Sequence, residues 1–258
     1  MDKNKNLDLD YIKNLNLKIP DSSLFPTEQP VSFLEGKPQG MIIYNTAVAF
    51  TANVTDQNRE DVMNSVLFAQ FGADHKVDRY ADPVLWYKTF NMALNNLGWI
   101  TKGFEFSEHK DDNGSFSIDE RAVKLVGSLF TGNEILILKA SLDALKALSD
   151  DNGAYKLFSK TTTKSEKGNV QVGLVDEVNR SVIFGTGAFH FISTTTNSRF
   201  LWMKHSSSSM KLFEGSQAML LNSSVYASAR EIVKGRLGPH VANFAQTFPI
   251  DVPEHPIS

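Results

Sequence analysis

The sequence predicts an α+β fold: a helical N-terminal half around one or two strands, then a mostly antiparallel β-sheet or sandwich-like half closed by a final helix. Three observations predict this order. Apolar residues at helical spacing dominate the chain up to about residue 150. Short apolar runs separated by Gly, Ser, Thr and Asn follow from residue 155, and a last helical pattern covers 224–237. Because helices and strands are segregated along the chain, α+β is favoured over a doubly wound sheet.

Residues 1–40 are predicted to form an extended, proline-rich arm. Asn, Asp and Lys dominate its start, and the prolines that follow bias their predecessors toward extended backbone. We expect a short helical or irregular piece at 8–16, then an extended segment packed on the rest of the protein. Residues 41–258 are predicted to be a single α+β domain, with a soft boundary near 150–154 as the alternative.

The N-terminal half is predicted to contain two strands among four helices. The strands are the apolar run 41–51 and the segment 99–106. The predicted helices are 56–71, ended by Gly72, then 83–97, 118–132 and 134–149. Polar residues that favour helix N-termini precede each of them: Thr55 or Asp56, Asp82, Ser117 and Asn133. Ser117 and Glu120 have the spacing of a capping box.

The C-terminal half is predicted to be mostly β. Hairpin connections are expected at 166–169 and 177–180, where turn-forming residues separate apolar runs. A final helix is predicted to begin near Ser224 and to end at Gly238, and the tail after Phe248 is expected to be extended. The predicted strands are 155–163, 169–177, 181–193, 199–205 and 209–221.

Composition excludes several classes of function. The chain is 41% apolar and 21% charged, which is typical of a folded protein with a full core. Its 26 basic and 29 acidic residues give a net charge of −3, so charge alone would not recruit nucleic acid. Cysteine is absent, which excludes disulfides, thiolate nucleophiles, iron–sulfur clusters and cysteine-based zinc sites.

Localisation is predicted from two missing features. The first eight residues lack the apolar core of a secretory signal, and no run reaches the roughly 18 apolar residues of a spanning helix. We therefore expect a protein that is cytoplasmic on synthesis. Export by a route that needs no signal peptide is the alternative.

No local motif predicts a nucleotide, cofactor or metal site. Gly185-Thr186-Gly187 has His190 where a dinucleotide fingerprint needs its third glycine, and its surroundings are strand-like. Glycines that allow close packing in a buried strand are the favoured explanation. The acidic segment 105–112 lacks the spacing of a calcium loop, so weak divalent binding there is only an alternative to a solvated turn.

No catalytic residues are predicted either. The six histidines form no HxH pair and no HExxH helix, and no GxSxG elbow surrounds a serine. His190 or His205 could act as a base only in a triad assembled from distant residues.

Residues 181–221 are the most unusual stretch, because apolar runs alternate there with two Ser/Thr-rich segments. Strands of about 9–11 residues with one apolar side can enter membranes as hairpins. Both sides of 182–192 are apolar apart from Thr186 and His190, which favours a central buried strand. Both interpretations stay open. The candidate side chains for contact with a partner or a membrane are Phe189, Phe191, Phe200, Trp202, Lys204 and His205.

The sequence favours a non-enzymatic protein that binds a protein partner or associates with itself. Many apolar residues occur without a convergent catalytic signature, which is the reason for this preference. The first alternative is a leaderless, membrane-active protein of the toxin or effector kind that uses the β region 181–221. The second is a hydrolase-like enzyme without a local motif.

Overall fold

The structure of the protein, a computed structural model, describes residues 7–25, 31–101, 104–110, 114–194 and 197–252. The helices are α1 (Leu9–Asn14), α2 (Asp56–Lys76), α3 (Pro83–Asn96), α4 (Ile118–Gly127), α5 (Glu134–Ala147), α6 (Gly153–Thr162), α7 (Ser223–Leu237) and α8 (Val241–Phe244). The strands are β1 (Gln39–Ile43), β2 (Thr46–Phe50), β3 (Trp99–Thr101), β4 (Ser107–Glu108), β5 (Thr163–Lys164), β6 (Lys167–Val178), β7 (Ser181–Ser193), β8 (Met210–Asn222) and β9 (Ala245–Pro249).

All nine of these strands belong to one mixed sheet, which confirms the α+β prediction. Its order is β3-β8-β7-β6-β2-β1-β9, with β4 also paired to β8 and β5 to β6. The pair β2–β6 is parallel and the other strand pairs are antiparallel. A single sheet, not a sandwich, therefore forms the β part of the molecule.

Helices cover both faces of this sheet. The side that we call the first face packs against α2, α3 and α7, as the hydrogen bonds Gln70–Thr46 (2.7 Å) and Gln217–Asn91 (2.9 Å) show. The opposite side, the second face, packs against α4, α5 and α6. The core therefore consists of two layers, one on each side of the sheet.

The predicted strand 41–51 is instead a hairpin of β1 and β2. Its turn is at Tyr44 and Asn45, and Tyr44 takes a positive φ of 53°. Both strands are buried throughout, so the apolar run conceals a two-residue turn that lacks the usual glycine. β2 pairs with β6, which joins the N-terminal half to the C-terminal strands.

Helix α2 passes through Gly72 and ends at Lys76, so the predicted end at Gly72 was wrong. A Cβ at Gly72 would lie 2.5 Å from Leu15, which packs on the helix there. The glycine therefore serves close packing of the N-terminal segment and not helix termination. Arg236 of α7 donates to the carbonyls of Ile12 and Leu15, which fastens the same segment to the body.

The prediction of a strand at 155–163 was also wrong, because this segment is helix α6. Asn152 caps it by accepting from the amides of Ala154 and Tyr155. Leu157 and Phe158 are buried beside them, so the buried positions follow the helical period. The predicted strand 199–205 forms turns with a single bridge, between His205 and Phe116.

The remaining differences concern helix ends and the tail. Asp82 caps α3 as predicted. Ser117 makes no side-chain cap bond, but Glu120 reaches back to accept from Ser117, as the capping box predicts, and it also pairs with Lys204. The segment 99–106 contributes only the three residues of β3 as strand, among those described. β9 pairs with β1 and ends at Pro249, so only its last residue lies in the predicted tail after Phe248.

Candidate functional site

The six candidate side chains lie mostly inside the protein. Phe189 and Phe191 of β7 are buried, and so are Phe200 and His205. Trp202 is half-buried, and Lys204 is exposed with Glu120 as its partner at 2.5 Å. Their role in binding a partner or a membrane stays a prediction.

The connection between β7 and β8 carries the last four of these residues and is tied to the second-face helices. The rings of Phe191 and Phe200 lie 4.9 Å apart, and Phe158 of α6 stacks on Phe200 at 6.1 Å. His205 makes a 2.8 Å hydrogen bond with the carbonyl of Phe200. This connection is thus a packed element of the second face.

Three neighbouring strands, β6, β7 and β8, dominate the sheet. They contain 12, 13 and 13 residues, and β7 pairs with β8 along its whole length and with β6 from residue 181 to 192. Since antiparallel strands rise about 3.4 Å per residue, each is about 40 Å long in extended form. About 9–11 tilted residues are enough to cross a bilayer.

Buried polar side chains from the three strands gather on the first face. Asn169 is paired with His190 across β6 and β7, and Thr186 with Gln217 across β7 and β8. Gln171 lies two residues from Asn169 and so on the same side. All five are buried. Thr186 and His190, the two polar residues that interrupt the apolar run of β7, therefore lie on the same face of the sheet.

The second face of the same strands is largely apolar. Val170 is paired with Phe189, and Phe191 with Leu212, and each of these side chains is buried. The further buried apolar side chains on this side are Val172, Leu174 and Met210. This face thus has the composition of a surface that can meet hydrocarbon.

Glycines in β7 let the helical layer approach the second face. A Cβ at Gly185 would lie 2.4 Å from the ring of Phe130, just beyond α4. At Gly187 it would lie 3.4 Å from Val126 of α4. The Gly185-Thr186-Gly187 run therefore lies within a buried strand and makes room for α4.

Three buried polar side chains interrupt the second face: Glu214, Asp176 and Ser193. Glu214 is the one tied to α4. It is buried on β8 and pairs with the guanidinium of Arg121 from α4, through Nε at 3.0 Å and through Nη2. His109 Nδ1 lies 3.3 Å from the same carboxylate. A buried carboxylate needs such partners, and here they also fasten α4 to the sheet.

His190 is the titratable side chain on the first face of β7. Burial lowers its pKa, and the charge of Lys167 acts in the same direction. Its Nδ1 atom is buried without a hydrogen-bond partner among the described residues. The neutral imidazole therefore fits this position better than the charged one does.

The described residues form neither a metal-binding cluster nor a membrane-spanning helix. Within the described ranges, no group of three or more His, Asp or Glu side chains is arranged to hold a metal ion; Asp111 and Asp112 lie outside them. None of the helices in that part of the chain is long and apolar enough to cross a membrane.

Sequence reasoning missed that five buried polar side chains of β6, β7 and β8 share the first face of the sheet. A signal was present, since Asn169 and Gln171 alternate with Val170 and Val172. Which residues of β7 and β8 lie on the same face as Asn169 and Gln171 depends on the register between the strands, and the sequence does not give that register. The Arg121–Glu214 pair had no signal, because its members are 93 residues apart.

No protein-family model and no curated protein matches this chain. Solved structures that it resembles include a delta-endotoxin, at 8% identity and a TM-score of 0.35, over 76% of this chain and 86% of that one. The activated Cyt2Ba monomer of Bacillus thuringiensis subsp. israelensis matches at 8% identity and a TM-score of 0.34, over 70% and 98%. The Evf virulence factor matches at 10% identity and a TM-score of 0.30, over 79% and 84%. With identities and TM-scores this low, the chain is not assigned to a family.

Proposed function

We propose that the protein is a membrane-active protein of the toxin or effector kind that inserts β6, β7 and β8 into lipid. One observation carries the proposal: three consecutive strands of 12 or 13 residues share one largely apolar face, and five of their buried polar side chains lie on the opposite face. Strands that meet lipid on one side have this alternation. In this proposal α4 and α5 leave the second face, and lipid replaces them.

The energetics support such an exchange. The helix α4 buries Ile118, Ala122 and Val126, and α5 buries chiefly three leucines. Exposing an apolar side chain to water costs about 1.5–3 kcal/mol, but hydrocarbon removes most of that cost. The three strands keep their mutual hydrogen bonds during insertion, so the central strand brings no unpaired backbone into lipid.

Liposome flotation and dye release at neutral and mildly acidic pH test the proposal directly. We expect the protein to float with the vesicles and to release the dye. A protein that stays in solution and releases nothing contradicts the proposal.

A disulfide between α4 and β7 tests the opening step. The variant V126C/G187C suits this, because a Cβ at residue 187 would lie 3.4 Å from Val126 Cγ2 and 3.1 Å from the Phe189 ring, which must shift slightly. The absence of native cysteine keeps the pairing unambiguous. We expect dye release to be lost on oxidation and restored by a reducing agent.

A matched lock that leaves α4 free is N58C/S223C, between α2 and α7. The native side chains touch there, with Ser223 Oγ 2.6 Å from Asn58 Oδ1. Its oxidised form should still release dye. Undiminished release by the oxidised α4 lock would contradict opening at the second face.

A second candidate function, self-association or binding of a protein partner, is favoured by an uncovered part of the second face. Ile100 of β3 is paired with Leu220 of β8, and these side chains are 52% and 42% exposed. Ile183 of β7, paired with Leu220, is half-buried beside them. Adjacent exposed apolar side chains are typical of interaction surfaces.

Sedimentation of the protein across a range of concentrations tests this candidate. We expect an oligomer that Ile100→Lys dissociates, with Val225→Lys as the matched change of an exposed apolar residue on α7. A protein that is monomeric at every concentration and retrieves no partner would exclude it.

A further inference from the structure

Two buried carboxylates lie on the second face of the three long strands, which the structure describes in full: Asp176 of β6 and Glu214 of β8. Asp176 is paired with Ile183, close to the β6–β7 turn. Glu214 is paired with Phe189, two positions from Gly187 at the centre of β7. Asp176 is therefore near one end of the hairpin, whereas Glu214 is near its middle.

The charged and titratable side chains that face the Glu214 carboxylate, among the described residues, come from two elements. Arg121 of α4 donates to it through Nε at 3.0 Å and through Nη2. His109, which follows β4, has its Nδ1 atom 3.3 Å from the carboxylate. From β7 the cross-strand neighbour is the uncharged ring of Phe189. In the closed protein the positive charge that compensates Glu214 thus belongs to α4.

Departure of α4 from the second face takes Arg121 away from Glu214. His109 stays with β8, because its amide donates to the carbonyl of Leu212 at 2.8 Å. A strand tilted by about 45° advances roughly 2.4 Å per residue along the membrane normal. If the centre of β7 lies at the bilayer midplane, two positions from it place Glu214 only about 5 Å from the midplane.

A carboxylate at this depth is strongly disfavoured when it faces lipid without a cation. Hydrocarbon favours the neutral form of a carboxyl group, since it solvates the charged form poorly. With a neutral imidazole, the Glu214–His109 pair carries one negative charge once Arg121 is gone. A single added proton makes the pair neutral, whether Glu214 or His109 holds it.

We propose that membrane insertion is coupled to proton uptake, with the Glu214–His109 pair taking up one proton from water as α4 leaves. This inference rests on the proposed function and names its regulation. The inserted state binds more protons than the closed state, so insertion is favoured as the pH falls. For one proton the gain is at most about tenfold per pH unit.

A proton count tests the coupling directly. The full chain is mixed with phosphatidylcholine vesicles in weakly buffered solution containing a pH-indicator dye, and flotation of the same sample gives the amount inserted. We expect the native protein to take up about one proton more per inserted chain than Glu214→Gln, whose side chain is neutral at this position. Because both proteins contain His190 on the first face, the difference between them does not include its titration.

Dye release across pH gives the second readout. Glu214→Gln should release dye at neutral pH as the native protein does in mild acid, and its pH dependence should be shallower. Since this change also weakens the attachment of α4, Arg121→Lys is the matched variant: it loses the bidentate contact but keeps the carboxylate and a cation. It should raise release at every pH with the native slope. Glu108→Gln, which removes a carboxylate paired with Lys211 at 3.5 Å, should leave the profile unchanged.

The possible results separate the coupling from the proposed function. Native release that is equal at about pH 7.5 and 5.5, or proton uptake that is equal in the native protein and Glu214→Gln, overturns the coupling while membrane action stands. Identical pH profiles for Glu214→Gln and Arg121→Lys also overturn it, because Glu214 would then only hold α4 in place. Absence of flotation and release at both pH values contradicts the proposed function and the coupling together.

Discussion

The helical layers on the two faces of the sheet are attached to very different degrees. In the first-face layer, 15 of the 21 residues of α2 are buried. In the second-face layer, 3 of the 10 residues of α4 and 4 of the 14 residues of α5 are buried, whereas α6 buries 6 of its 10 residues. A central helix thus covers one side of the sheet, while α4 and α5 cover their part of the other side with few buried residues.

The kind of attachment differs as well. Buried polar contacts hold the first-face layer: Asp61 pairs with Arg230 between α2 and α7, and Gln70 bonds to Thr46 of the sheet. The contact of α4 with the sheet is different in kind: one ion pair, Arg121–Glu214, accompanies apolar contacts such as that of Val126 with Gly187. Local opening requires least free energy where few residues are buried, so the second face should open first.

The largest expected effect is in the first-face layer. Arg230→Ala leaves the fully buried Asp61 carboxylate without its bidentate partner, whose contacts are 2.8 and 2.7 Å. We expect the free energy of unfolding in urea to fall by about 3–5 kcal/mol. Lys234→Ala is the matched control, since its pair with Glu60 is about one third exposed, and it should cost less than about 1 kcal/mol. If the two variants lost the same free energy of unfolding, the burial of the Asp61–Arg230 pair would not make it more stabilising than the Glu60–Lys234 pair.

A smaller effect is expected in the second-face layer. Arg121→Met removes the bidentate partner of Glu214, but His109 stays 3.3 Å from the carboxylate and compensates in part. We expect a loss of about 1–3 kcal/mol and faster amide exchange in α4, with α2 unchanged. If α2 exchanged faster as well, the two layers would open together, which contradicts earlier opening of the second face.

The third prediction concerns acid. Burial lowers the pKa of His190 in the folded state, so the unfolded chain binds more protons below its own pKa of about 6.5. Stability should therefore fall as pH drops through that value, with a slope of at most about 1.4 kcal/mol per pH unit. His190→Gln should make this decline shallower, as urea unfolding at about pH 7.5 and 5.5 would show. His75→Gln, which changes a histidine at the exposed end of α2, is the control and should leave the slope unchanged.

The smallest effect is at the turn between β6 and β7. Asn179 and Arg180 both have positive φ angles, 52° and 64°, which glycine adopts without strain. Arg180→Gly should raise the unfolding free energy by about 0.5–1 kcal/mol. Arg180→Ala keeps the steric cost and should not stabilise. If both variants were more stable than the native protein, the cause would be the loss of the Arg180 charge and not the relief of backbone strain.

Local signals made some elements predictable. The bounds of β7 match the predicted 181–193, because turn residues border the apolar run on both sides. Asp82 followed by proline located the start of α3. The segments at 41–51 and 155–163 were misassigned, because an apolar run hid a turn at Tyr44 and a short helix has too few turns to show its period.

The candidate site was predictable only in part. The sequence pointed to 181–221, to the apolar character of β7, and to Phe189 and Phe191 as candidate contact residues. The structure buries both side chains, and their role in contact with a partner or a membrane stays a prediction.

The sequence by itself determined the α+β class, the long C-terminal strands and the absence of cysteine chemistry, because these follow from composition and local periodicity. Tertiary structure alone decided that His190, Thr186 and Gln217 share one face, and that Glu214 lies opposite Arg121. The reason is physical. Periodicity fixes which side chains of one strand point the same way, but register between strands and the choice of covering helix are set by packing of residues far apart in the chain.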